Sequence, residues 1–487
     1  MVALMKRRWW ALGALMLSLL TIGFDATILN VALDPLAAAL HADTDDLQWI
    51  IDAYVLVFAG LLLPAGALAD RYGRKTFLVV GLGLFGAASV VASLAGSAAT
   101  VIAARCLMGV GAAVLTPTIT AVVTRIFPAD ERPRAVAFMA IGLGAGVPLG
   151  PIVGGYLLRH FWWGSVFLVN VPVVAVALIA VAVLVPQSRD PRPRPVDLVG
   201  GLLSTGGLVL LVYAVIAAPA AGWTSARVLV AGPLGVLLLV AFLSWERRQR
   251  APLIDLSLFG RPRFVWGSTA ATVAAFAMFG LLFVVPLYLQ AVRGHDALAA
   301  GVRLLPMMAG LMIGAKTGER VAARTGARLP MTAGLLLLAA GLAVGALTRA
   351  GSGYGFVAGW LAVAGAGVGL TTAPALDAVM GELPPERSGS GAALTLAMRQ
   401  VGAALGVALL GSLSSVTFHR KEGVTRAMAE ALANGDATLA AEIRDDYAGA
   451  MAAVLVACAA VCALGAAGTA RWMRDAERPE EAVAAPR

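Results

Sequence analysis

Polar and apolar positions alternate on a long scale, in uncharged stretches broken by short polar connectors. Many stretches approach or exceed the roughly 20 residues that cross a bilayer as a helix. Taken in turn, with Gly and Pro marking the breaks, they predict about 14 helices. The first six start near Trp9, Leu47, Thr76, Thr100, Arg134 and Val166. Two follow near Asp197 and Arg227, then six more near Val265, Leu298, Leu329, Gly353, Ser388 and Ala448. The expected fold class is therefore all-α and integral to a membrane.

The connectors orient the chain. One alternate set of loops holds roughly 25 Lys and Arg against about nine in the other, which places the first set in the cytoplasm. An even helix count puts both termini there too. The first outer loop, Asp34 to Asp46, carries four acids and no Lys or Arg. Composition agrees: 60% hydrophobic, 13% charged and a mean hydropathy of +0.85 exclude an ordinary soluble protein. A net charge of +9 would suggest nucleic acid, but its confinement to alternate loops reads as membrane orientation. Cys106, Cys458 and Cys462 lie in apolar runs without metal-ligand spacing, so neither a metal site nor a disulfide framework is implied. The first run follows Lys6-Arg7-Arg8 but lacks a clear cleavage site and contains Asp25, which predicts a retained helix rather than a signal peptide.

A worn internal repeat divides the chain. Pro128 to Arg132 is echoed by Pro384 to Arg387, and the Gly66–Lys75 loop by Gly318 to Arg328, with Arg324 and Gly326 in the places of Arg71 and Gly73. Both echoes come roughly 255 residues later, about eight helices, where a six-helix repeat would recur sooner. Two helices are thus expected between the halves, without interior charge, at the periphery and facing lipid. The predicted units are an N-terminal bundle over 1–186, the inserted pair with its Arg- and Pro-rich linker over 187–250, a C-terminal bundle over 251–474, and a disordered cytoplasmic tail over 475–487. Thr417 to Tyr447 reads as a partly helical outer loop.

Charges within the apolar runs are the candidate chemistry, because a bilayer tolerates few without a function. Asp25 lies about 16 residues into the first helix, roughly 24 Å along it and in the outer half. Asp52, near the outer end of the second helix, and Arg105, just inside the fourth, lie at similar depth. Two carboxylates and a guanidinium converging there would titrate jointly and suit the exchange of a proton. The cytoplasmic loop Gly66-Ala-Leu-Ala-Asp70-Arg71-Tyr-Gly73-Arg74-Lys75 is the second candidate. Gly66 leaves room for a packed helix and Gly73 for a tight turn. Asp70, alone among bases, can cap a helix or pair with Arg74, in a contact that differs between two states.

That loop resembles the G-x-L-a-D-R-x-G-R-K signature of the major facilitator superfamily, which implies a fold of two six-helix bundles, here with two added helices. Phe24 to Pro35 resembles the first-helix L-D-x-T-I-V-N-V-A-L-P motif of its fourteen-helix drug:proton antiporters, keeping the acid and Asn30 but departing at Phe24 and Asp34. Arg105 to Ala113 resembles the fourth-helix R-x-x-q-G-x-G-a-A motif, with Met108 for Gln; the family's arginine is implicated in proton transfer, and Arg105 inherits that expectation. Ile141 to Gly155, with Pro148, Gly150, Pro151, Gly154 and Gly155, resembles the G-P-x-x-G-G fifth-helix motif of exporters. In physical terms it is a closely packed helix bent by two prolines. Gln48 to Tyr54 is similar to the second helix of exporters of quaternary ammonium compounds and dyes.

The second half is less typical. Arg399-Gln400 matches many actinobacterial-type members, whereas some multidrug relatives have an acid nearby. Lys316 is expected to pair with Glu319 near the cytoplasmic face, and Asp377 to end its helix in solvent. Trp49, Phe276, Phe279, Phe283 and Tyr288 suit a cavity, lipid or core. The expected function is export of amphipathic drugs, antibiotics or related small molecules through a bacterial inner membrane, by a monomer driven by inward proton movement without a cofactor. A cationic substrate fits the first half; Lys316 and Arg399 argue against it. Proton-coupled solute uptake is the rival within transport, and a membrane-embedded sensor or scaffold is the rival outside it. No G-x-x-x-x-G-K-[ST] loop supports an ATP-driven pump, and no nucleophile–base set supports an enzyme.

Overall fold

The computed structural model describes residues 2–42, 44–128, 131–189, 197–249, 256–383, 388–418 and 424–473. Among them there is no strand. The helices are α1 (Val2–Leu40), α2 (Thr44–Tyr72), α3 (Arg74–Ser93), α4 (Ala98–Ile126), α5 (Arg132–His160), α6 (Ser165–Leu168), α7 (Asn170–Leu184), α8 (Leu198–Ala221) and α9 (Ala226–Glu246). Then come α10 (Pro262–Leu287), α11 (Ala297–Arg303), α12 (Leu305–Thr325), α13 (Arg328–Gly345), α14 (Tyr354–Gly381), α15 (Ser388–Thr417), α16 (Val424–Ala433) and α17 (Ala437–Trp472). Among the described residues, 13 helical spans are long and apolar enough to cross a membrane, with α6–α7 and α11–α12 each forming one. The 29-residue α5, about 43 Å long, stands between the fourth and fifth of these and completes the predicted series.

Helix starts follow local chemistry. Ser97 accepts from Thr100 N, Asp197 from Gly200 N and Asp436 from Leu439 N, each satisfying an orphan amide of the first turn. The Asp436 cap starts α17 at Ala437 rather than near Ala448, because a helix need not be apolar once it has left the bilayer. The short α16 occupies the middle of the predicted outer loop. Segments 384–387 and 474–487, holding one repeat echo and the tail, lie outside the described residues.

The repeat is plain in the packing. Helix α1 packs on α5 and α7, α2 on α4, and α3 on α4 and α7. The second half repeats this, with α10 on α15 and α17, α12 on α14, and α13 on α14 and α17. The turns after α2 and α12 also correspond: Gly73 has φ 116° and Gly326 φ 83°, a backbone region that penalises any side chain. Helices α8 and α9 stand outside both sets. Helix α9 packs on α8 and shows outward Leu229, Val230, Leu237 and Val240. Helix α8 is less peripheral than expected: it packs against α2 and α15, and its Tyr213 stacks on Trp49. The halves meet along α2 and α4 against α15, and along α5 against α11, α12 and α14.

Candidate functional site

Four helices of the first half meet at one buried polar cluster. Asp25 on α1 and Arg105 on α4 are 1% and 2% exposed, and Arg105 Nη1 lies 2.5 Å from Asp25 Oδ2. Arg105 Nε donates to the Ile50 carbonyl on α2 at 3.0 Å, and the guanidinium carbon sits 4.3 Å from the centre of the Tyr54 ring. Asn170, the first residue of α7, donates from Nδ2 to Asp25 Oδ1 at 3.2 Å. Each Asp25 oxygen thus faces an N–H donor, an arrangement that suits the ionised carboxylate. A proton taken up there would remove the charge that Arg105 pairs with and leave weaker neutral acceptors, loosening the contact between α1 and α4.

Glycines bring these backbones together. One turn beyond Arg105, a Cβ on Gly109 would stand 2.8 Å from the Tyr54 carbonyl, so α4 touches α2 backbone to backbone and Arg105 reaches Ile50. Gly111 makes the equivalent approach to Gly81 on α3. On α5, Gly142, Gly146, Gly150 and Gly154 recur every fourth residue along α1 from Met16 to Ile28, the stretch that carries Asp25. A Cβ on Gly146 would lie 2.6 Å from both Leu20 O and Phe24 N, and one on Gly150 2.7 Å from Ile28 N. Gly155 faces α11 instead, 3.4 Å from Leu298 Cβ, and so touches the second half.

Sequence reasoning paired Asp25 with Arg105 and Asp52. The first two do meet; the hydrogen bonds shown for Asp25 and Arg105 join them to each other, to Ile50 and to Asn170, while Asp52 lies half-buried two residues from Ile50. Asn30 lies on α1, and Pro148 and Pro151 on α5, their side chains outside the described residues. Two participants were missed. Tyr54 was a conspicuous aromatic, but nothing in the sequence turns it toward Arg105. Asn170 had a signal, a lone amide in the apolar run Val166 to Val174.

At the turn between α2 and α3 Asp70 pairs with Arg74, whose Nη2 and Nε lie 2.7 and 2.8 Å from Oδ1, both residues being buried. Arg71 lies over the Tyr72 ring, and Gly66 is buried on α2. The turn is also clasped by the segment after α7. Arg74 N donates to Ser188 O at 2.8 Å, Lys75 N to Gln187 Oε1 at 3.1 Å, and Gln187 Nε2 to Thr76 Oγ1 at 2.8 Å. A Cβ at Gly73 would fall 2.6 Å from Gln187 Nε2.

Helix α5 meets second-half charge at both ends. Outside, Arg159 bonds Asp296, the cap of α11. The Ala299 amide and then Arg159 hold the Asp296 carboxyl below the usual carboxylate range, so this contact stays charged at neutral pH. Beside it His295 is pushed down, first by partial burial and then by Arg303 and Arg293, against the opposing pull of Asp296. Inside, Arg134 acts on Glu319 of α12, and Arg132, with Arg263, on Asp377 of α14. Asp377 is therefore not the solvated helix end expected, since α14 continues to Gly381 and half-buries it among arginines. Lys316 is exposed and, among the described residues, forms no ion pair with Glu319. Arg399 is half-buried on α15. No group of three or more His, Cys, Asp or Glu fit to hold a metal occurs among the described residues.

Repeated helical bundles meeting along a seam, with a sealed ion pair between helices, define a multi-pass membrane transporter rather than an enzyme. The family model of the Major Facilitator Superfamily matches residues 15–407, and the chain belongs to that superfamily. Its relatives include the tetracenomycin C resistance and export protein of Streptomyces glaucescens, 34% identical over 84% of this chain and 76% of that protein. The multidrug efflux pump LfrA of Mycolicibacterium smegmatis is 34% identical over 90% of this chain and 88% of its own. Among solved structures, the proton:xylose symporter XylE is 13% identical and superposes with a TM-score of 0.65 over 96% of both chains, a likeness of fold.

Proposed function

We propose that this chain exports small amphipathic compounds, drugs or antibiotics among them, through a bacterial cytoplasmic membrane in exchange for protons. The observation that carries the proton half is the Asp25–Arg105 pair, sealed at a junction of α1, α2, α4 and α7. A carboxylate whose protonation weakens a charged contact between helices couples proton binding to their relative position. Export rather than uptake is supported by the Gly and Pro pattern of α5 and by relatives named for efflux and resistance. Residues 1–186 and 251–474 are the rocking bundles, 187–250 an added pair, and both termini lie in the cytoplasm, as the basic loops indicate. The proton gradient supplies the energy to a monomer without a cofactor.

Inverted vesicles from an efflux-deficient host test the reading. Accumulation of an exported compound is expected when the interior is acidic and lost with an uncoupler. Accumulation indifferent to the uncoupler, or inward transport in intact cells, excludes proton-driven export.

The Asp70–Arg74 pair is proposed as a conformational latch at the cytoplasmic turn. Asp70→Asn is expected to shift the labelling of introduced cysteines toward the inward-open form and to slow transport. Unchanged labelling from both sides with an unchanged rate leaves the loop an anchoring role alone.

A further inference from the structure

The deeply buried charges of the first half cancel in pairs, Asp25 with Arg105 and Asp70 with Arg74. Arg399, half-buried, departs from that pattern: it forms no ion pair among the described residues. It lies on α15 about 16 Å from the helix start at Ser388, near the middle of a hydrocarbon layer about 30 Å thick. Its Nε is buried and bonds to nothing among the described residues, and no carboxylate among them acts on the guanidinium. A guanidinium stays protonated, offers five N–H donors, and is costly to keep from water without a counter-ion.

Its surroundings place it at the seam. Helix α15 packs on α2 and α4 of the first half, and its Leu394, Ala397, Met398 and Val401 join an apolar cluster that draws on both halves, Val101 and Phe264 among its members. Thr395, Gly402 and Gly406 face α10, where Thr395 Oγ1 lies 3.3 Å from Ser268 Oγ and a Cβ on Gly402 would lie 2.6 Å from Thr272 Cγ2. Arg399 falls one turn after Thr395 and one turn before Gly402, on the face of α15 that meets α10, with the Ser268 and Thr272 hydroxyls on neighbouring turns. A molecule moving between two rocking bundles passes that seam.

We propose that Arg399 is an anion subsite of the transport path, taking the oxyanion (carboxylate, phenolate or enolate) of an amphipathic substrate. This deepens the export reading and rests on it. The first half offers a cationic substrate little, because Asp25 is already neutralised and Asp52 is engaged. The unsatisfied charge of the seam is positive, and it matches a planar oxyanion that two parallel N–H groups can grip.

The test uses the purified full chain and two probes of equal shape, 7-diethylaminocoumarin-3-carboxylate and its neutral methyl ester. Wild type is expected to bind the acid more tightly than the ester. Arg399→Gln should weaken the acid about tenfold or more and leave the ester unchanged, since a charge-assisted contact is lost and the apolar contacts remain. Arg399→Lys keeps the charge without the fork and should fall between; it also decides the matter if the Gln variant does not fold. Equal loss of both probes, no loss of either, or no wild-type preference for the acid overturns the subsite. Uptake by inverted vesicles separates the two claims. Selective acid binding without proton-driven export sinks the transport reading alone, while export untouched by Arg399→Gln sinks the subsite alone.

Discussion

Asp25→Asn is expected to abolish proton-driven transport while the chain still inserts and folds. The amide has the shape of the carboxyl and its oxygen can still accept from Arg105, but it neither binds nor releases a proton in the working range. Arg105 is left without a counter-ion, though its bond to Ile50 O and its place over Tyr54 remain. Breaking one side of a buried pair costs about 3–5 kcal/mol, so thermal unfolding in detergent should move down. Asp25→Asn combined with Arg105→Gln removes both charges and should recover most of that stability with no recovery of coupling. A single mutant that transports normally under a pH gradient removes Asp25 from the mechanism. A double mutant that recovers transport together with stability makes the pair structural.

The second large effect concerns the glycines of α5, and it should be graded by what each would strike. Gly146→Ala and Gly150→Ala press a methyl group on α1 backbone atoms that cannot turn aside. Overpacking of this kind costs about 1–3 kcal/mol, and here it also displaces the stretch of α1 that presents Asp25. Transport should fall by an order of magnitude or more, more steeply than expression. Gly154→Ala meets Ile28 Cγ1, a side-chain atom rather than backbone, at 2.9 Å and should be milder, and Gly155→Ala, with 3.4 Å to Leu298 Cβ, close to neutral. Equal transport rates across the four variants, measured in the same vesicles, refute close α1–α5 packing as the purpose of the motif.

The hydrophobic pattern alone gave the number of spans and their order, because a bilayer forces backbone into helices of nearly fixed length, and the offset of the repeat echoes pointed to the inserted pair. Starts at Thr76, Arg134, Leu298 and Leu329 fell within about two residues of those observed. The ends of α17 and the outer loop were not legible, since a helix that leaves the membrane is set by caps such as Asp436 rather than by hydropathy.

Depth along each helix was likewise enough to bring Asp25 and Arg105 to one level. Rotation about the helix axis was not available from the sequence. That is why Asp52, at similar depth, stays out of the cluster while Tyr54 and Asn170 join it. Depth follows from counting residues at a fixed rise, whereas facing depends on which backbones approach, and that is settled by glycine contacts between segments far apart in the chain. The same reason separates the motifs from their meaning. The α5 glycines were visible as a pattern, but only the fold shows three of them lodged against the α1 backbone, or leaves Arg399 outside every ion pair among the described residues.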